Sequence, residues 1–247
     1  MPAPLPPLPD GFAVTVRSLH RVAERLVAPA RKPDNEIALE PTPGGFGTPP
    51  FEWEGARHRV RVEGAELVHE AGQGERRAPL SSLTVAATVL DGLLPETSVR
   101  SLSRMERETA NGTDDGALEV DPAAAAALAA WYVFGREVLD RLAATAAPAD
   151  ASSPPVLWPE HFDVAIELGE EAAGRRATYG FSPGDENHPE PYAYVAPWQP
   201  PAAGAPWNAR GFTGAELGYA ELLVAPDPVA AALDFLADRR DLLAGTT

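Results

Sequence analysis

The chain has 247 residues with 20 basic and 36 acidic side chains, a formal charge of −16, no cysteine, 27 prolines and a 45% hydrophobic content. Without cysteine it has no disulfides, thiol nucleophiles, thiolate metal sites or iron–sulfur ligands, so imidazole and oxygen are the only ligand types left. The apolar share suffices for a real core, while an acidic excess that accumulates after residue 77 works against phosphate backbones and anionic membranes as partners.

The start, Met1-Pro2-Ala3-Pro4-Leu5-Pro6-Pro7-Leu8-Pro9, has neither the basic beginning nor the apolar run of a secretory signal, and residues 1–10 read as a disordered proline-rich lead-in. Phe12, Val16, Leu19, Val22, Leu26 and Val27 then recur at helical spacing, predicting an amphipathic helix from Gly11 to Ala28, ended by Pro29. Lys32, the one lysine, sits in a polar Arg31-Lys32-Pro33-Asp34-Asn35 stretch unsuited to Schiff-base chemistry, and no phosphate-cradling loop ends in Lys-Ser or Lys-Thr.

A β-rich region follows, with alternation over residues 36–40 and 57–63 and further strands over 66–70 and 76–80. Ser81-Ser82 caps a helix predicted to run to Leu94 and stop at Pro95. Residues 96–120 contain Asn111-Gly112-Thr113-Asp114-Asp115-Gly116, a loop by composition. Asp121 and Pro122 begin an alanine-rich helix to about Ala147, whose apolar run to Phe134 is too short to span a bilayer. Residues 148–156 read as a linker, followed by strands at 162–168, 176–181, 191–195 and 215–224, and Asp227-Pro228 starts a closing helix.

The expectation is an α+β protein, cytoplasmic, with antiparallel sheets packed against helices. Its N-terminal half is placed at 11–147 and its C-terminal half at 157–247, with one continuous domain as the alternative. The order helix, strands, helix occurs twice, and Gly44 to Phe51 and Tyr179 to Gly184 match loosely, which suggests an internal duplication.

Three blocks carry a likeness to a known family: Trp158-Pro159-Glu160-His161-Phe162-Asp163-Val164-Ala165, Gly180-Phe181-Ser182-Pro183-Gly184-Asp185, and Pro189-Glu190-Pro191-Tyr192-Ala193-Tyr194-Val195. From Leu157 to Leu243 the chain resembles bacterial domain-of-unknown-function family 5996, and before residue 157 the likeness is thin. The resemblance implies related architecture and carries no catalytic role.

Gly180-Phe181-Ser182-Pro183-Gly184 has the spacing of a hydrolase nucleophile elbow, yet Pro183 lacks the N–H that would serve the oxyanion. The one later histidine, His188, follows only six residues on, and the surrounding strands read antiparallel. Two other readings of the region remain open. Trp158, Tyr179, Phe181, Tyr192, Tyr194 and Trp198 are candidate walls of a pocket for a small ligand, cationic ones included, which makes the protein a non-catalytic small-molecule-binding or scaffold protein. Alternatively His161, Asp163, Asp185, His188 and Glu190 supply imidazole and carboxylate ligands for a divalent metal, zinc, iron or manganese, in a hydrolase or oxygenase. His161 and Asp163, two apart, share a face if both lie on a strand. His20, His58 and His69 fall in separate elements and receive no role, and the sequence leaves a homo-oligomer open.

Overall fold

The computed structural model describes residues 5–31, 36–90, 92–186, 188–201, 204 and 206–245, apart from 111–116, and gives backbone alone for 103 and 105–110. Lys32 and the Asn111 to Gly116 loop lie outside the described residues. The fold is α+β, with two antiparallel sheets and helices packed on them. No helix among the described residues is long and apolar enough to cross a membrane. The chain forms two compact units: residues 8–129 with 158–162, and residues 1–7 with 130–157 and 163–247.

In the first of these units, α1 (Phe12–Val22) runs on through a π-turn at Ala23–Val27 and a 3-10 turn at Ala28–Ala30, so the helical path passes Pro29 before ending. Its sheet comprises β1 (Glu40–Thr42), β2 (Gly45–Gly47), β3 (Phe51–Trp53), β4 (Ala56–Glu63), β5 (Glu66–Ala71) and β6 (Gly74–Pro79). The alternation at 36–40 becomes a strand only from Glu40. β2 and β3 both pair with β4, and between them the Thr48 N–H donates to the Val60 carbonyl at 2.8 Å while the Val60 N–H donates to Thr48 Oγ1 at 3.1 Å. Those two bonds keep the ladder closed where Pro49 and Pro50 cannot donate.

One face of β4 and β5 is buried, with Val60, Val62 and Leu67 beside His58 and His69. On the other, Arg61 reaches Glu63, Glu70 and Glu75, and Arg77 reaches Glu63, Glu66 and Glu75. α2 (Leu83–Ala87) starts where Ser82 accepts the Val85 N–H at 3.2 Å and ends early, in a 3-10 turn at Thr88–Leu90. A separate helix, α3 (Glu96–Ala110), precedes the Asn111 to Gly116 motif and was not read from the sequence. It is polar overall, with Val99 and Leu102 among its few apolar residues.

α4 (Pro122–Ala144) begins as expected, with Asp121 Oδ1 accepting the Ala124 N–H at 2.8 Å. In the second unit its later residues, Trp131, Phe134 and Val138 among them, are buried. The sheet there is a meander of β7 (Val156–Trp158), β8 (Asp163–Leu168), β9 (Ala177–Ser182), β10 (Tyr192–Pro197) and β11 (Ala215–Gly218), in the order β11-β10-β9-β8-β7. β11 is shorter than read from sequence, because its Gly218 is followed by α5 (Tyr219–Val224). α6 (Pro228–Ala244) closes the chain, capped by Asp227, which accepts the Ala230 N–H at 3.0 Å.

The stretch read as a linker is tied down within this unit: the Ser153 N–H donates to the Glu167 carbonyl and the Glu167 N–H to Ser153 Oγ, both at 2.9 Å. Part of the lead-in is also held, since Leu5 is buried and the Tyr219 hydroxyl donates to the Pro6 carbonyl at 2.6 Å. Both sheets are meanders, an architecture simple enough to arise independently, and the fold does not by itself carry the duplication.

Candidate functional site

Strand register decides which side chains can meet. Tyr192 pairs with Ser182, Tyr194 with Gly180 and Glu216, and Ala165 with Gly180. Paired residues share a face, so Asp163, Ser182, Gly180, Tyr192, Tyr194 and Glu216 lie together on one side of the sheet. Tyr179 and Phe181, one residue out of step, lie on the opposite side. Phe181 meets Trp131 and Phe134 edge-on, at centroid distances of 5.3 and 5.7 Å, beneath α4.

The polar face is built around a buried carboxylate. Asp163 is 4% exposed and accepts the Tyr194 hydroxyl in a short hydrogen bond. The Tyr194 ring lies flat across Gly180, where any Cβ would stand 2.5–2.6 Å from the ring and its oxygen. Burial, reinforced by the charge and hydrogen bond of Asp163, raises the Tyr194 phenol well above its ordinary range. Tyr192 is raised too, by burial first and then by the charges of Asp185, Asp163 and Glu216, against a bond with Ser182 that lowers it.

Tyr192, Tyr194 and Phe212 form a triangle of rings with centroids 6.1, 6.4 and 6.0 Å apart. His188 leans on Tyr192 at 4.2 Å. Its Nδ1 lies 2.9 Å from the Glu190 carbonyl, and its Nε2 lies 3.8 Å from Glu216 Oε1. The Glu216 side chain is 15% exposed, and no Arg or Lys side chain pairs with it among the described residues.

The residues expected to line a pocket therefore divide. Tyr192 and Tyr194 share the face, whereas Tyr179 and Phe181 are buried on its far side. Trp198 is 48% exposed beyond the end of β10, under the Arg176 guanidinium at 5.2 Å. Trp158 belongs with the other unit. Phe212, Ser182 and Glu216 complete the face but were not among the expected residues. Phe212 lies in irregular chain without periodicity, and only the strand register aligns Ser182 and Glu216 with the tyrosines.

The five expected metal ligands are not assembled. Among the described residues no group of three or more histidines and carboxylates is arranged to hold a metal ion. His161 is not on a strand: β8 begins at Asp163, and Phe162 turns the chain with a φ of 54°, which removes the shared face. Asp185 Oδ1 accepts the His188 backbone N–H at 2.9 Å, the chemistry of a turn. Glu190 is exposed and meets His188 through its carbonyl. Ser182 lies on a strand of an antiparallel sheet, with its Oγ accepting the Gly184 N–H at 3.1 Å.

Two histidines given no role do meet, in the other unit. His58 Nδ1 lies 2.9 Å from His69 Nε2, and His69 Nδ1 lies 2.8 Å from the Val89 carbonyl. The Val89 carbonyl can only accept, whereas Arg76 Nη2, 3.0 Å from the same His69 Nδ1, can only donate, so the two contacts favour opposite tautomers of His69 and opposite directions for its bond with His58. Phe51 and Trp53 pack on His58, with ring centroids 5.8 and 5.6 Å away.

No family model matches the chain, and no curated protein or solved structure matches it.

Proposed function

We propose that the Tyr192, Tyr194 and Phe212 face is a recognition site for a small organic cation and that the protein works by binding rather than by catalysis. The observation that carries this is a half-buried aromatic triangle surrounded by carboxylates, one of which, Glu216, has no arginine or lysine partner among the described residues. Ring faces attract cations through their quadrupole, and the attraction grows as water is excluded. The Tyr194 bond to Asp163 supports the reading, because a phenol donating to a carboxylate holds its ring in place and enriches it in electron density. The blocks that carry the likeness to family 5996 supply Asp163, Ser182, Asp185, Tyr192 and Tyr194, so on this reading relatives sharing those blocks share the site.

Titration with tetramethylammonium and choline, followed by chemical-shift changes at Tyr192 and Phe212, tests the proposal. Saturable binding is expected, weakened about 5- to 30-fold in Tyr192→Ala, as loss of one cation–π contact implies. The uncharged carbon isostere of choline should not bind. Equal binding of that isostere, or no saturable binding of either cation, overturns the reading.

A further inference from the structure

His188 stands where the proposed ligand would have to come. Its ring covers Tyr192 at 4.2 Å, and its Nδ1, 2.9 Å from the Glu190 carbonyl, must carry a proton to make that bond. The only place left for a second proton is Nε2, 3.8 Å from the Glu216 carboxylate. In the neutral ring a bare lone pair faces that carboxylate, at a distance too long for a hydrogen bond. Once protonated, the same ring presents an N–H and a full charge to Glu216 and lies as a cation against Tyr192.

Other carboxylate residues stand around the ring. Asp185 holds the His188 backbone N–H at 2.9 Å from the turn before β10, Glu190 contributes its carbonyl, and Glu216 faces the ring from β11. Asp163 adds to the field at Tyr192. On the cationic side, Arg210 donates its backbone N–H to Glu216 Oε2 at 3.4 Å, and no arginine or lysine side chain forms an ion pair with Glu216 among the described residues.

We propose that the protonated imidazole of His188 is a built-in occupant of the cation site, competing with the ligand for the Tyr192 ring and for Glu216. This rests on the cation-site reading above. Ligand and proton are then antagonists. Binding of an organic cation expels the proton from His188, and by linkage acidification expels the ligand. The site takes up its ligand in neutral or alkaline surroundings and releases it as the surroundings turn acidic.

Calorimetric titration with tetramethylammonium tests this at about pH 5.5 and about pH 8, on either side of the range where imidazoles change charge. Each titration is run in two buffers of different ionisation enthalpy, for the native chain and for His188→Gln. In the native chain, affinity should fall on acidification by up to about tenfold per pH unit, the limit for one competing proton. Binding at the lower pH should release protons into the buffer. His188→Gln, checked for native circular dichroism, should lose both the proton release and most of the pH dependence. Any slope that remains in the variant belongs to the carboxylates. Binding of equal strength at both pH values in the native chain overturns the gate and leaves the cation site standing, as does an unchanged pH dependence in His188→Gln. Absence of binding in both proteins at both pH values overturns the cation site, and the gate with it.

Discussion

Two phenols on adjacent strands meet opposite circumstances. The Tyr194 hydroxyl donates to Asp163, while the Tyr179 hydroxyl, on the other side of the sheet, is buried without a hydrogen-bond partner among the described residues. Both phenols are raised by burial. Deleting one oxygen should therefore act with opposite sign at the two positions. Tyr194→Phe takes a donor from a buried carboxylate and should cost about 1–3 kcal/mol, whereas Tyr179→Phe removes an unsatisfied group and should leave stability unchanged or raise it by about 1 kcal/mol. Urea unfolding of the two variants checks this, and equal losses would refute it.

The histidine pair gives a second residue-scale prediction. Burial lowers His69 from its ordinary 6.5, against the backbone bond to Val89 that raises it, and the charges of Arg76 and the neighbouring His58 lower it further. The unfolded chain then takes up a proton at His69 more readily than the folded one, so this contribution to stability is complete above about pH 6.5 and declines as pH falls below it. The urea midpoint should drop between about pH 7 and pH 5, and the drop should be smaller in His69→Gln. Neither pairing was legible in the sequence. His58 and His69 are brought together by the hairpin register, in which Val60 faces His69, and Asp163 and Tyr194 by two successive strand pairings.

At the scale of elements, alternation, helical spacing and caps marked most of the long elements. α1, β4, β5, α4, β8, β10 and α6 all lie close to where alternation, helical spacing or Asp-Pro starts placed them. The misses have separate causes: α3 is polar overall, and α5 follows a strand with no intervening turn residue except Gly218. One glycine shows packing overriding propensity. Gly135 lies within α4, where alanine is intrinsically better by up to about 1 kcal/mol, yet a Cβ there would stand 2.7 Å from Phe181 Cγ and 3.0 Å from Val164 Cγ1. Overpacking of a filled core costs about 1–3 kcal/mol, so the clash should win and Gly135→Ala should lower the thermal midpoint. Ala126→Gly, on the exposed side of the same helix, should cost about 1 kcal/mol by propensity alone. Stabilisation by Gly135→Ala would show that α4 shifts to make room.

At the scale of the whole molecule, neither unit is one continuous piece of chain. Residues 158–162 count with the unit of residues 8–129, although the strand they lead into belongs to the other. Composition suggested a boundary at the proline-rich 148–156 stretch, because prolines mark where a chain changes direction and cannot reveal where a later segment packs. Phe162 makes the interleaving energetic. Its ring is buried, stacked on His20 at 5.0 Å and edge-on to Phe46 at 5.1 Å. It holds this place with a φ of 54°, strained for a bulky residue. Losing a buried phenylalanine ring costs about 3–5 kcal/mol, a large part of a small unit's stability. A fragment ending at residue 157 should therefore protect the β4 and β5 amides from hydrogen exchange far less than one extended to residue 162. The two fragments share every exposed surface that the missing strands would leave, so the comparison isolates these five residues. Equal protection in both would mean that the first unit is complete without Phe162 and that its strained backbone serves only the turn into β8.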